Sequence, residues 1–307
     1  MRIFILLFAL FSFVNAEKVG DAAKKAYLAN INAIMIFTSH DGLNSGLYRF
    51  TEADAEMYIL HLPLIYHFKP FKEHWNLFFL GGVGYSETTV TSRVQSQLHQ
   101  QDDTELTMEN MLRTYTGGAG LGVQYKTGYD LDVLFGVEVI YSRVKITLRN
   151  TDDEIGDFIG SFLDGNDNFS YKYMFQLFYQ KEFKGFRPYV KLDFAWYKTN
   201  TDFNILDIAS FSTQSSVTSV NIGAESPKLY TYDGMYLTLE GYINGNYLGG
   251  DITDVAKLNS YGELGAVAYW YTSSKPFGIR RYFFELNKIN GKGLDGYNMG
   301  IGFSVDF

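Results

Sequence analysis

Alternation with a period of two residues runs through most of this chain and confines it to extended strands, since successive side chains of a strand point to opposite faces. The last eleven residues, YNMGIGFSVDF, show it without a break. Tyr297, Met299, Ile301, Phe303, Val305 and Phe307 share one face, while Asn298, Gly300, Gly302, Ser304 and Asp306 share the other. The division recurs at 56–68, where Tyr58, Leu60, Leu62, Leu64, Tyr66 and Phe68 oppose His61, Pro63 and His67. At 131–141 Val133, Phe135, Val137, Val139 and Tyr141 oppose Asp132, Gly136 and Glu138. Tyr171, Tyr173, Phe175, Leu177 and Tyr179 oppose Lys172, Met174, Gln176 and Gln180, and Val190, Leu192, Phe194 and Trp196 oppose Lys191, Asp193 and Tyr197. Further strands are readable near 30–37, 75–87, 111–125, 229–242, 259–272 and 281–288, about eleven with the tail. A twelfth, with a weaker apolar signal, fits 211–223.

Composition agrees. Of 307 residues, 24 are Tyr and 26 Phe, with 30 Gly and only 5 Pro, a balance suited to pleated surfaces and tight turns. Cysteine is absent, which removes disulfides, thiolate metal sites and a Cys nucleophile. The net charge of −8 speaks against a nucleic-acid partner, which needs clustered Lys and Arg. Residues 1–16, MRIFILLFALFSFVNA, have one positive charge at Arg2, an apolar run and small residues ending at Ala16, the pattern of a secretory signal peptide. Residues 17–29 suit a short helix or a tail, and 30–307 form the strand-rich domain. No later stretch is apolar for the roughly 20 residues that a spanning helix needs.

The strands fall into a rhythm in which longer connections at 38–55, 88–110, 148–168, 201–210, 243–258 and, shorter, 291–295 alternate with short turns at 69–74, 126–130, 184–187, 224–228 and 273–278. Pro70, Pro188, Pro227 and Pro276 lie in or beside the short turns, where a missing N–H costs least; Pro63 alone lies inside a strand, and a bulge is expected there.

A soluble sandwich also alternates, but it turns its large apolar side chains inward. Here the minor face mixes charge with Gly and Ser, and Trp75, Trp196 and Trp270 sit on the apolar face near strand ends, as in the aromatic girdles of membrane barrels. On these features the chain resembles the bacterial outer-membrane β-barrels along its whole length after residue 16. The resemblance implies a transmembrane antiparallel up-and-down barrel of about twelve strands, within a range of ten to fourteen, because such barrels take even strand numbers. It implies location in the bacterial outer membrane, contact with outer-membrane lipids, and reading of the terminal face, Tyr297, Met299, Ile301, Phe303, Val305 and Phe307, by the barrel-assembly machinery. Size and strand number resemble a solitary autotransporter-like barrel, with no passenger domain ahead of it.

Parity directs Asp132, Glu138, Lys172, Lys191, Asp193, Glu240, Glu263, Arg281 and Glu285 into the lumen, where they would line a narrow pore for small solutes or ions, or pair across a plugged interior. Excess acid would favour cations. A surface-binding barrel acting through long outer loops is the alternative. Catalysis is not expected. None of the five histidines, His40, His61, His67, His74 and His99, has the Ser two residues on that a barrel lipase uses, and Asp102 and Asp103 near His99 are chance neighbours in an acidic loop. No cofactor or metal is expected either. Asp152, Asp153, Glu154 and Asp157, and Asp164, Asn166, Asp167 and Asn168, supply hard oxygens but lack the closing bidentate Glu of a calcium loop.

Deleting Phe307, or replacing it with a charged residue, is expected to impair membrane insertion. The assay is the membrane level of heat-modifiable protein, and wild-type levels in the mutant would contradict this reading of the terminal face.

Overall fold

The structure, a computed structural model, describes residues 43–51, 54–95, 105–149, 166–201, 211–272 and 279–305. The proposed signal, the 17–29 segment and the strand expected at 30–37 lie outside these residues. Thirteen strands follow in chain order: β1 Leu43–Phe50, β2 Ala55–His67, β3 Trp75–Gln95, β4 Glu105–Lys126, β5 Leu131–Arg149, β6 Asn166–Gln180, β7 Arg187–Thr201, β8 Phe211–Glu225, β9 Tyr230–Tyr232, β10 Met235–Gly250, β11 Ser260–Tyr271, β12 Ile279–Gly291 and β13 Leu294–Val305. Apart from β9, each pairs antiparallel with the next, β8 with β10, and β1 pairs with β13 from Leu43↔Ile301 to Phe50↔Leu294, closing a barrel of twelve. The three residues of β9 stand outside the count and continue the ladder of β8 along the lower end of β10.

Closure follows from the chemistry of lipid, in which every backbone N–H and C=O needs a partner within the protein. The strand that closes the barrel was not legible as one. β1 occupies the segment expected as the first long connection, leaving only residues 51–54 between β1 and β2. Its parity is inverted in size, because the aromatic residues Tyr48 and Phe50 point inward and are buried, with Gly46 and Asn44, while only Leu43 and Leu47 supply outward apolar surface. The connection expected at 88–110 also contracts, since β3 continues to Gln95 and β4 begins at Glu105. That expected at 243–258 holds the end of β10 and a short helix, α1, Asp251–Ala256. Pro63 causes no bulge. It faces Gly82 in unbroken register, two residues past His61, where the pairing of β2 with β1 ends, so its missing N–H breaks no ladder on that side. The register shift of the sheet lies instead between Ile279 and Arg281 of β12.

Faces follow parity throughout. Along β7, Val190 and Phe194 are 45% and 41% exposed, whereas Tyr189 and Tyr197, on the other parity, are 8% and 3% exposed. The outward face carries an aromatic edge near the short turns, with Trp75, Tyr125, Tyr179, Trp270, Tyr282 and Phe303, and another near the opposite rim, with Tyr85, Tyr115, Tyr141, Tyr247 and Tyr297. Trp75 packs against Tyr125 at 4.7 Å between centroids, and Tyr85 against Tyr115 at 5.3 Å. Between them the strands show Leu, Val, Ile, Phe, Ala and Gly. Ten residue steps separate Trp75 from Tyr85; at about 3.3 Å each and a tilt of about 40° they rise roughly 25 Å, the height of the apolar band of a membrane barrel. One step beyond the upper aromatic edge stand ion pairs: Arg49–Glu56 at 2.7 Å, Arg113–Glu87 at 3.0 Å, Arg143–Asp167 at 3.9 Å, and Lys288–Asp295.

Leu192→Lys is expected to cost roughly 2–4 kcal/mol, because it places an ammonium on the lipid face near the middle of the belt. Its neighbour Lys191 faces inward with Nζ 3.1 Å from Asp193, both side chains about one-third exposed, so Lys191→Gln should cost under about 1 kcal/mol. Urea titration of folding into lipid vesicles compares the two; a larger loss at 191 would reverse the faces of β7.

Candidate functional site

Outer-membrane barrels put short turns in the periplasm and longer connections outside. With that orientation the outer part of the bore holds an apolar cluster among buried Ser, Thr and Asn side chains, and the inner part mixes charged groups with buried aromatics.

The outer part holds one buried apolar cluster, flanked by buried Thr114, Ser142, Thr199 and Ser215. Tyr48 and Phe50 of β1, Met57 and Ile59 of β2, Leu112 of β4, Val144 of β5, Tyr197 of β7, Val217 of β8, Leu248 of β10, Tyr261 of β11, Ile289 of β12 and Leu294 of β13 meet there. Each lies toward the outer end of its strand, and together they come from all round the barrel, so the cluster crosses the bore rather than lining one wall. Ile252 of α1 and Leu258 just after it complete the cluster, each 2% exposed. The helix is set inward by its flanks. Gly250 has a φ of 80°, which favours glycine, and Lys257 ends the helix in the left-handed region. The Asp251 carboxylate accepts the Gln214 N–H at 2.8 Å, tying α1 to the start of β8.

Below this plug the inward face carries polar pairs beside a second buried cluster of Tyr189, Tyr242 and Val267. Glu138 and Lys172, directly opposite in the ladder of β5 and β6, form an ion pair at 3.1 Å. The Asn246 amide donates to Glu263 at 2.8 Å and its oxygen accepts from the Ser219 hydroxyl at 2.5 Å. The Tyr242 hydroxyl donates to Glu285 and accepts from the Asn287 amide at 3.1 Å. Nearer the periplasm, Glu240 accepts from Tyr189 at 2.7 Å and from Tyr269 at 3.1 Å. Arg187 pairs with Glu225 and donates to the Tyr271 hydroxyl at 2.9 Å, which itself donates to Glu225 at 3.0 Å. Arg281 donates to the same hydroxyl at 3.1 Å and stacks on the Tyr269 ring at 4.2 Å. Asp132 accepts from the Gln124 amide at 2.8 Å.

Glycines make room for the inward rings. Tyr189 lies over Gly223, Tyr242 over Gly265, Phe78 over Gly122, and Tyr48 over both Gly46 and Gly296; a Cβ at any of these glycines would run into the ring. Rings laid flat on glycines of neighbouring strands thicken the wall inward and narrow the bore.

All nine charged residues that parity directs inward take part in an ion pair, a ring stack or a hydrogen bond that crosses from one strand to another or runs along the wall. Asp132 is bonded to Gln124 of the adjacent strand. Glu225 and Arg187 belong to the same network and were not anticipated, Glu225 because it closes the weakly patterned β8. The apolar plug was also missed. Its signal was present, since Met57 and Ile59 share the parity of His61, and Ile289 that of Glu285.

Tyr297, Met299, Ile301 and Phe303 point outward and are 48–63% exposed; Val305 ends β13, and Phe307 lies outside the described residues. Of the histidines, His61 lies inward over Gly82, His67 packs on Phe78 at 5.6 Å, and His74 meets Tyr125 at 6.1 Å; His40, His99, Asp102 and Asp103 lie outside the described residues. Asp152, Asp153, Glu154, Asp157 and Asp164 lie outside them too. Asn166, Asp167 and Asn168 begin β6 rather than standing in a loop. Asp167 accepts from the Tyr141 hydroxyl at 2.7 Å, and the Asn168 amide donates to the Ser142 carbonyl at 3.2 Å.

No family model matches the chain, and no curated protein matches it. Solved structures do. The translocator domain of the autotransporter NalP from Neisseria meningitidis aligns over 96% of this chain and 99% of its own at 10% identity, with a TM-score of 0.55. The β domain of the Bordetella autotransporter Brka aligns over 86% and 97% at 10% identity and 0.53, and the transport unit of the autotransporter AIDA-I from Escherichia coli over 85% and 88% at 9% and 0.51. At such identity the likeness speaks for the fold. Together with the closed sheet and its apolar belt, it makes this chain a twelve-stranded barrel of the bacterial outer-membrane type.

Proposed function

We propose that the protein is an outer-membrane channel for small solutes or ions whose resting state is shut at the outer mouth. The observation that carries this reading is the apolar cluster at the outer bore, to which a separate element, α1, contributes, above an inner part rich in carboxylates. A barrel needs no inserted helix to close its sheet, and an apolar constriction blocks ions by excluding water without a fixed charge. The four inward glutamates 225, 240, 263 and 285, on adjacent strands, favour cations once the plug yields. Insertion by the barrel-assembly machinery is part of the proposal and rests on the outward face of β13. Standing export of a polypeptide, as the autotransporter likeness would suggest, has less support, because the plug occupies the path.

A second reading has one observation of its own. Strands β3, β4 and β5 are 21, 22 and 19 residues long, well beyond the roughly 9–11 that cross a bilayer, and raise one side of the outer rim where a surface partner would bind.

In planar bilayers the wild-type barrel is expected to conduct rarely, while Ile252→Asp with Leu258→Asp, which draws water into the plug, should raise the open fraction by about tenfold or more, with cation selectivity. A steady large conductance from the wild type would contradict the shut resting state. Silence from both, with heat-modifiable migration intact, would favour the surface-binding reading.

A further inference from the structure

Both rims of the barrel carry cations, and Lys145 and Lys198 near the outer one have no carboxylate partner among the described residues. At the outer edge, four cations, Arg49, Arg113, Arg143 and Lys288, each face a carboxylate. At the inner edge every described turn of the barrel joins lysine to an exposed aromatic: KPFK at 69–72, KTGY at 126–129, KEFKGF at 181–186 and KLYTY at 228–232. Lys69, Lys72, Lys126, Lys181, Lys184 and Lys228 are all exposed, and among the described residues none of them pairs with a carboxylate. Four acids, Glu73, Asp130, Glu182 and Asp233, share these turns, so the rim is net positive on a chain whose formal charge is −8.

The aromatic partners are displayed rather than packed away. Phe71, Tyr129, Phe183 and Tyr232 are 61%, 83%, 64% and 65% exposed. Lys184 lies 5.3 Å from the Phe183 centroid, and Lys228 4.3 Å from that of Tyr236. An ammonium beside a ring that stands just past the apolar belt matches the boundary between acyl chain and headgroup, where the ring sits in the interface and the cation meets phosphate.

We propose that this inner rim is a recognition surface for anionic phospholipid, with phosphatidylglycerol as the occupant, and that it fixes the height of the barrel in the periplasmic leaflet. Charge complementarity selects the occupant. Six unpaired ammonium groups in a ring attract a net negative headgroup, and a zwitterionic one offers each of them a phosphate already balanced by its own amine. The proposal does not depend on whether the bore conducts.

Trp75 reports on this rim directly, since its N–H donates to the Lys72 carbonyl at 2.9 Å and its ring faces outward. A protein carrying Trp196→Phe and Trp270→Phe keeps Trp75 as its one tryptophan. In mixed phosphatidylcholine and phosphatidylglycerol vesicles, with bromine on one lipid or the other, Trp75 fluorescence measures which lipid is adjacent. Brominated phosphatidylglycerol should associate about threefold or more over phosphatidylcholine. Lys69→Gln with Lys72→Gln should bring the ratio to about one, and the two Lys→Arg variants, which keep the charge, should retain it. Heat-modifiable migration confirms that each variant is folded. Equal quenching of the wild type by the two lipids would overturn the proposal, as would a preference that survives Lys→Gln.

Discussion

The structure depends on one seam. In hydrocarbon an unpaired sheet edge leaves a row of N–H and C=O groups with no partner, so the first and last strands must meet. The strand that meets β13, β1, is described over eight residues, Leu43–Phe50, and every one of them pairs. Once that seam is closed, direction has meaning for every side chain: one parity faces lipid and the other faces a bore of limited width. The apolar belt, the two aromatic edges and the ion pairs above the outer one are consequences of that single division.

The inward half of the division sets a packing problem. A twelve-stranded bore is wide enough to admit water but narrow enough for side chains from opposite walls to approach, and this chain fills it in two ways. Aromatic rings lie flat over glycines of the neighbouring strand, which builds the wall inward without collision. Charged groups are met by hydroxyls, amides and opposite charges, since an unpaired charge away from water is expensive. The Arg187, Glu225 and Tyr271 group and the Glu240, Tyr189 and Tyr269 group do this at the inner end. At the outer end the apolar cluster and the inserted α1 pack among buried Ser, Thr and Asn side chains.

Much of this was legible in the residues. The assignment of Val190 and Phe194 to the outward face and the placing of Pro70, Pro188 and Pro227 at the short-turn end follow from a period of two and the missing N–H of proline, whereas the expected twelve strands counted 30–37 and not 43–50. What was not legible has physical causes. β1 reads as a loop because its large residues face inward and sit over glycines, so its outward face has little apolar signal. The inward aliphatics of the plug look like lipid-facing residues, because hydrophobicity alone does not say which side of a wall a side chain is on. The pairing of Glu225 with Arg187 requires the register of β7 against β8, which alternation leaves open. The bulge expected at Pro63 is absent, and the register of β2 against β3 runs through Pro63↔Gly82 without a shift.

On the proposed reading the outer cluster closes the bore from outside, and small reagents reach its inner part from the periplasmic end. A chain with no native cysteine allows this to be measured at one atom. Gln176→Cys places a thiol on the inward face of β6, half-buried, on the periplasmic side of the plug. With the barrel inserted in vesicles so that its outer rim faces the medium, a small charged methanethiosulfonate added outside should leave this thiol unmodified, while the same reagent trapped inside should modify it. Rapid modification from outside would show that the outer mouth is open and would contradict the account.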